Sequence, residues 1–215
     1  MKVAIHQPNF APWLGYFHKF ATADLFVFLD DAQFSKNSYT NRVKIRDDRW
    51  LTVPVSASLG TPINECCVAN GNFRERLRGQ LVAAYGKSLV VKDFIEVLDA
   101  VDSERLIDFN YATIEFVANH LGITTATARS SELGISSLST DRLVDIVRNV
   151  GGTEYLSGAG GSKYQDPRAF AQAGIRLDFA GFEHPVYDQG GSAFTPGLSA
   201  LDFLVATERA TNQSR

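Results

Sequence analysis

Cysteine is scarce in this chain of 215 residues: there are two, Cys66 and Cys67, side by side. Adjacent cysteines are poorly placed to bridge each other, so the pair excludes a disulfide framework and a cysteine metal site and fits a reducing compartment. An excess of one charge is also missing. With 21 Lys and Arg against 24 Asp and Glu the formal net charge is -3, which argues against a nucleic-acid binder, and no DNA binding is expected. No stretch approaches the roughly 20 apolar residues of a spanning helix, and the start Met1-Lys2-Val3-Ala4-Ile5-His6-Gln7-Pro8 lacks the apolar run and cleavage site of a secretory leader. A cytoplasmic protein with no membrane span is the resulting expectation. The four histidines, His6, His18, His120 and His184, are too widely spaced to suggest metal ligation, and no metal site is expected. Linkers, charge runs, repeats and low-complexity tracts are absent, while 45% of the residues are hydrophobic, enough for one core. Residues 1–215 therefore read as a single domain.

Two residue types are unevenly spread. The first 50 residues hold ten of the 24 aromatics, and ten of the 17 glycines fall from Gly151 onward. The run Lys2-Val3-Ala4-Ile5 reads as a buried strand broken by His6-Gln7-Pro8-Asn9. Pro12 suits a first helical turn, and Leu14, Phe17, Phe20 and Ala21 recur at helical spacing. Leu25-Phe26-Val27-Phe28-Leu29, bounded by Asp24 and Asp30-Asp31, reads as a strand covered on both faces. Together these make a βαβ unit with parallel strands. Alternation over Asn41–Arg46 and the run Trp50–Val55 predict an antiparallel hairpin with Pro54 near an edge. From about residue 72 to 121 the pattern turns helical, in three segments marked by Phe73-Leu77-Leu81-Tyr85, Phe94-Ile95-Leu98-Val101 and Leu106-Phe109-Ile114-Phe116-Val117-Leu121. Strands near 125–128, 154–156 and 175–179, and helices near 140–150, after Asp166-Pro167 and from about Ser199, restore the α/β rhythm. The predicted fold class is α/β: a mostly parallel sheet flanked by helices, with an antiparallel hairpin and a helical insertion.

Ligands of open α/β sheets bind beyond the carboxyl ends of the strands. The polar residues that break the apolar runs fall at those ends: His6 and Gln7 after the first strand, Asp30 and Asp31 after the second, and Ser157 with its glycines after a later one. If these strands are neighbours, one cleft gathers a histidine, a carboxylate and a glycine turn. Taken singly, His6 is as well explained by a hydrogen bond to a nearby carbonyl, and the aspartates by turn capping. The turn Gly158-Ala159-Gly160-Gly161-Ser162-Lys163 is the candidate anion site, since glycines let backbone N–H groups approach a phosphate or carboxylate and Lys163 adds charge. It matches neither Walker A nor G-x-G-x-x-G, and a plain loop explains it equally well.

The chain resembles the WbqC-like protein family nearly end to end. The resemblance rests on His6-Gln7-Pro8-Asn9, Pro12-Trp13-Leu14-Gly15-Tyr16-Phe17-His18-Lys19, Phe28-Leu29-Asp30-Asp31-Ala32-Gln33-Phe34, Asn41-Arg42 and Trp50-Leu51-Thr52-Val53-Pro54-Val55. It continues in Tyr155-Leu156-Ser157-Gly158, His184-Pro185-x-Tyr187-x-Gln189, Phe194-x-Pro196 and Leu198-Ser199-x-Leu201-Asp202-x-Leu204. It implies a cytoplasmic protein of bacterial surface-polysaccharide (O-antigen) or specialised-metabolite biosynthesis, acting on nucleotide-linked sugars or their amino and acyl derivatives.

The leading expectation is a transferase that passes an acyl or aminoacyl group to an amino group of a nucleotide-sugar-like substrate. His6 serves as general base, Asp30 or Asp31 holds its tautomer, and Lys19 or Lys36 balances substrate phosphate. Trp13, Tyr16 and Tyr187 stack on sugar or base faces, and Gln7, Asn41, Arg42, His184 and Gln189 complete the candidate substrate contacts. Two alternatives remain open at this stage. One is a nucleotidyltransferase-like ligase using ATP, although Tyr16 stands where such ligases carry a phosphate-binding histidine; the other is a noncatalytic sugar-binding or scaffold subunit. The sequence leaves the cofactor unnamed, with an acyl or aminoacyl donor and ATP as candidates, and leaves the oligomeric state open.

Overall fold

Strand β1 (Lys2–His6), helix α1 (Leu14–Thr22) and strand β2 (Leu25–Phe28) form the expected βαβ unit, with β1 and β2 parallel neighbours from Val3 opposite Leu25 to His6 opposite Phe28. The computed structural model describes the chain except residues 70, 164, 192, 214 and 215. The hairpin follows as β3 (Arg42–Ile45) and β4 (Arg49–Thr52), antiparallel with Arg42 opposite Thr52, in a two-stranded sheet of its own. Its turn places Asp47 and Asp48 at φ of 60 and 54, left-handed values that aspartate tolerates better than most residues. The hairpin stops earlier than the sequence suggests. Pro54 has no N–H to donate, and the chain beyond it pairs elsewhere, as β5 (Val55–Ser56) against β6 (Cys67–Val68).

Helices α2 (Phe73–Tyr85), α3 (Leu89–Ala100) and α4 (Leu106–His120) fill the predicted helical stretch. Then come β7 (Ala126–Arg129), α5 (Ser139–Asn149), β8 (Glu154–Ser157), a 3-10 turn over Ala159–Lys163, α6 (Pro167–Gln172), β9 (Arg176–Phe179) and α7 (Ala200–Gln213). Asp166 caps α6 as expected, its side chain accepting the Arg168 N–H at 2.9 Å with Pro167 at the first helical position. Pro12, in contrast, lies outside α1, which begins at Leu14.

The main sheet has five strands, all parallel, in the order β7-β2-β1-β8-β9. Strand alternation splits its side chains between two cores. Ala4, Phe26, Phe28 and Leu156 pack with α1, α2, α3, α4 and α7 on one face, while Val3, Ile5, Val27 and Tyr155 pack with α5 and α6 on the other. The chain builds outward from β1 through β2 to β7, then crosses back to lay β8 on the opposite side of β1. That reversal is the topological switch of a doubly wound sheet, and it leaves a crevice beyond the carboxyl ends of β1 and β8.

The loop between β1 and α1 runs through the interior. Pro8, Asn9, Phe10, Ala11 and Pro12 are all buried, so the backbone polar groups there need partners within the protein. The fully buried Asn110 of α4 donates through Nδ2 to Pro8 O and to Thr40 O, both at 2.8 Å. The Thr113 hydroxyl accepts the Ala11 N–H at 3.0 Å, and the Ser199 hydroxyl donates to Ala11 O at 2.8 Å, which fixes Ala11 at a φ of 43. Replacing Asn110 by leucine keeps the volume and orphans both carbonyls, so Asn110→Leu is expected to lose about 2–4 kcal/mol of stability, read as a lowered urea midpoint with an unchanged slope.

Candidate functional site

The crevice is a cavity of about 870 Å³, a size suited to a small-molecule ligand. His6, Gln7, Lys19, Ser157, Gly158 and Gly160 all line it, so the ends of β1 and β8 and one face of α1 converge there as the sheet order requires. His6 Nδ1 lies 3.0 Å from the Gln7 carbonyl oxygen. A carbonyl only accepts, so Nδ1 carries the proton and Nε2 keeps its lone pair. Burial, then the neighbouring Lys19 ammonium, push the imidazole pKa down to about 3, against the raising effect of the Gln7 bond. The ring is therefore neutral at physiological pH.

Lys19 projects from α1 with its Nζ 2.7 Å from the Ile5 carbonyl oxygen and 5.9 Å from the centre of the Tyr155 ring, at 4% exposure. Burial lowers its pKa to about 7. Among the described residues no carboxylate reaches it and none lines the cavity. The second cation of the lining, Arg142, is ion-paired with Asp31.

That pairing corrects the expected role of the aspartates. Asp30 accepts hydrogen bonds from Ser131 N at 3.0 Å, Ser131 Oγ at 2.7 Å and Ser130 Oγ at 3.1 Å, and Asp31 binds Ser130 Oγ and Arg142. Both carboxylates turn toward the end of β7 and α5, where unmatched donors await them. The His6 tautomer is held by the Gln7 carbonyl, not by a carboxylate. Arg142, held by Asp31, nonetheless shapes one wall. Beside it Ser139, also in the lining, is held at a φ of 54.

Trp13 and Tyr16 both line the cavity in different ways. Trp13 is half-buried, its indole packed over Gly15, where an added Cβ would come within 2.3 Å of the ring, and edge-on to Phe182 at 5.5 Å. Tyr16 is only 2% exposed and sits edge-on behind His6, with ring centres 4.8 Å apart, so it buttresses the imidazole instead of offering a free stacking face. The glycine turn likewise departs from an open anion cradle. It winds into 3-10 geometry, with Gly161 N–H donating to Gly158 O at 2.8 Å, and Gly161 is required by packing because a Cβ there would meet Ser157 Oγ at 2.1 Å. Gly158, Gly160 and Gly161 face the cavity, whereas Ser162 and Lys163 are exposed outside its lining.

The remaining candidates stand outside the lining. Lys36 is exposed on a surface turn. Asn41 donates through Nδ2 to Val53 O at 2.9 Å, and Arg42 stacks on Trp50 at 4.1 Å, so both brace the hairpin. His184, Tyr187 and Gln189 belong to the segment between β9 and α7: Gln189 clasps the Thr195 backbone from both ends of its amide, and Tyr187 packs edge-on to Phe203 at 5.2 Å. His184 meets Phe182 at 5.4 Å, and Phe182, which sequence reasoning missed, carries this segment into the cavity wall.

The WbqC-like protein family model matches residues 7–214. A curated relative, "Uncharacterized protein Rv1507c" of Mycobacterium tuberculosis (strain ATCC 25618 / H37Rv), is 30% identical over 227 residues, covering 94% of this chain and 92% of its own length. No solved structure matches the chain at a significant level. Among the described residues no helix is long and apolar enough to cross a membrane.

The buried Lys19 sets a pH dependence of stability. Its folded pKa, about 7, lies below the unfolded value of 10.5, so between these the unfolded state binds more protons and stability rises with pH, by up to about 1.4 kcal/mol per unit. The cost of burying the charged form is fully present below pH 7. Urea titrations at pH 7 and at about 8.5 are expected to show that rise in the wild type and a flatter profile in Lys19→Met.

Proposed function

The chain belongs to the WbqC-like protein family, and on that premise we propose that it is a cytoplasmic biosynthetic enzyme that transfers an acyl or aminoacyl group to the amino group of a nucleotide-sugar-like substrate. The observation that carries this reading is the pairing at the end of β1: a neutral His6 with Nε2 unprotonated beside a buried lysine, in a cavity of about 870 Å³ at the sheet's switch point. An amine needs a base as it attacks, and a neutral imidazole supplies one. The amine nitrogen bonds to the acyl carbon, its proton passes to Nε2 and on to the leaving group, and the donor bond breaks. Lys19 offsets negative charge on the substrate, and Trp13 and Phe182 provide an aromatic wall for a sugar or base face. Tyr187 and His184 act by supporting that wall through Phe182.

A panel of amino-sugar nucleotides, combined with acyl-CoA donors or with amino acids and ATP and read by mass spectrometry, tests the assignment. The wild type is expected to yield an N-acylated sugar nucleotide, and His6→Ala to lose about 100-fold or more of the rate with its circular dichroism and melting temperature retained. Wild-type turnover in His6→Ala overturns the role of His6, and a panel without product overturns the transferase.

A further inference from the structure

Among the described residues, Lys19 is an ammonium group buried without a counter-ion. It is 4% exposed, its hydrogen bond goes to the Ile5 carbonyl at 2.7 Å, and no carboxylate of the described residues forms an ion pair with it. The polar groups that share the cavity with it come from every element that lines it: His6 at the end of β1 and Gln7 just after it, Tyr16 from α1 itself, Tyr155 from β8, Gln165 beyond the glycine turn and Arg142 from α5. These include cations and neutral groups, and the carboxylates that follow the neighbouring strand β2, Asp30 and Asp31, are engaged by Ser130, Ser131 and Arg142. A buried charge is sustained by a partner or a bound ion, and an ammonium that lines an otherwise carboxylate-free cavity is built to receive an anion from outside.

The position of that ammonium matters as much as its charge. It hangs on the carbonyl of Ile5, the residue before His6, and so holds a positive charge against the imidazole that the proposed reaction needs as a base. An anion seated on Lys19 cancels that field. We propose that an anionic group of the ligand, a phosphate or a carboxylate, binds against Lys19 Nζ and thereby turns His6 into a competent base. The site then works poorly on an amine that arrives without its anionic partner, because the ammonium adds to burial in disfavouring a proton on His6. This inference rests on the reading of the cavity as the substrate site, though not on which group is transferred.

The Cε1–H resonances of the four histidines report the proposal directly, with the His6 signal identified by its loss in His6→Gln. Sulfate and acetate are the probes, since both keep a constant charge near neutral pH; sulfate stands for a phosphate and acetate for a carboxylate. Without anion the His6 signal is expected to stay in its neutral position throughout mildly acidic pH. With saturating sulfate or acetate its midpoint is expected to rise by about one unit or more toward the ordinary histidine value. A response to sulfate alone assigns a phosphate, and a response to acetate alone a carboxylate. In Lys19→Met the midpoint is expected to start higher and to ignore both anions, while Lys19→Arg, which keeps the charge, retains the response. A wild-type midpoint unmoved by both anions, or an equal shift in Lys19→Met, overturns the proposal. Neither donor nor acceptor is present, so a His6 signal that moves in a protein failing the acylation panel sinks the transferase and leaves the anion site standing.

Discussion

A backbone that turns inside a protein must find all of its hydrogen bonds there, and the stretch from Pro8 to Pro12 imposes this constraint on everything around it. The side-chain amide of Asn110, the hydroxyls of Thr113 and Ser199 and the backbone of Tyr39 and Ala200 take its polar groups, so α4, the start of α7 and the segment before the hairpin are all tied to the end of β1. The helical segment and the last helix thus do more than cover a sheet face. They fix where β1 ends and where α1 begins, which sets the distance from His6 to Lys19. Ala11, held at a φ of 43 with both of its polar groups clamped by side chains, is the local strain this arrangement sustains.

From that fixed end of β1 the electrostatics of the cavity follow. The crevice has cations and no carboxylate in its described lining, and its two cations differ in kind. Arg142 is neutralised by Asp31 and serves as structure. Lys19 is neutralised by none of the described carboxylates, and with its pKa lowered to about 7 by burial it sits near the midpoint of its own titration at neutral pH, so modest changes in nearby charge alter its protonation. His6 shares that environment. Its low basicity arises first from burial and next from Lys19, and the charge of a ligand acts on the second of these. Two groups that respond to one charge form a coupled pair, and the chemistry of the site is best understood through the pair.

Much of this was legible in the residues. The apolar runs of β1 and β2, broken by His6-Gln7 and Asp30-Asp31, announced a parallel unit with polar groups at the strand ends, and the sheet realises it. The glycine turn belongs beside β1 only if the strand before it is a neighbour of β1, and the sheet order supplies that adjacency. What pattern could not supply was direction. Asp30 and His6 end neighbouring strands, yet a carboxylate goes to the densest set of donors, and Ser130 and Ser131 at the end of β7 offer three within reach. Nothing in local spacing reveals a contact between residues a hundred positions apart. Tyr16 shows the related limit that an aromatic in a motif looks the same whether it faces a cavity or the core; its ring lines the cavity and also packs against Phe17 and Phe26.

The segment between β9 and α7 shows how an irregular stretch can still define a wall. Long connections without secondary structure are uncommon unless they serve a site, and one that lines a cavity must be anchored if the cavity is to have a shape. The anchor is α7. Asp202, fully buried, is ion-paired with Arg46 at 3.0 Å, and burial raises its pKa against the opposing effects of Arg46, Tyr187 and Tyr85. Tyr187 therefore brings the segment to the same buried carboxylate that ties α7 to the loop of the hairpin. From Tyr187 the rings of His184 and Phe182 lead back to Trp13. The hairpin, α7 and the segment converge on one charge, and the aromatic edge of the cavity is positioned from it. The residues of the His184-Pro185-x-Tyr187-x-Gln189 element thus shape the cavity from outside its lining, because the segment reaches the cavity through Phe182.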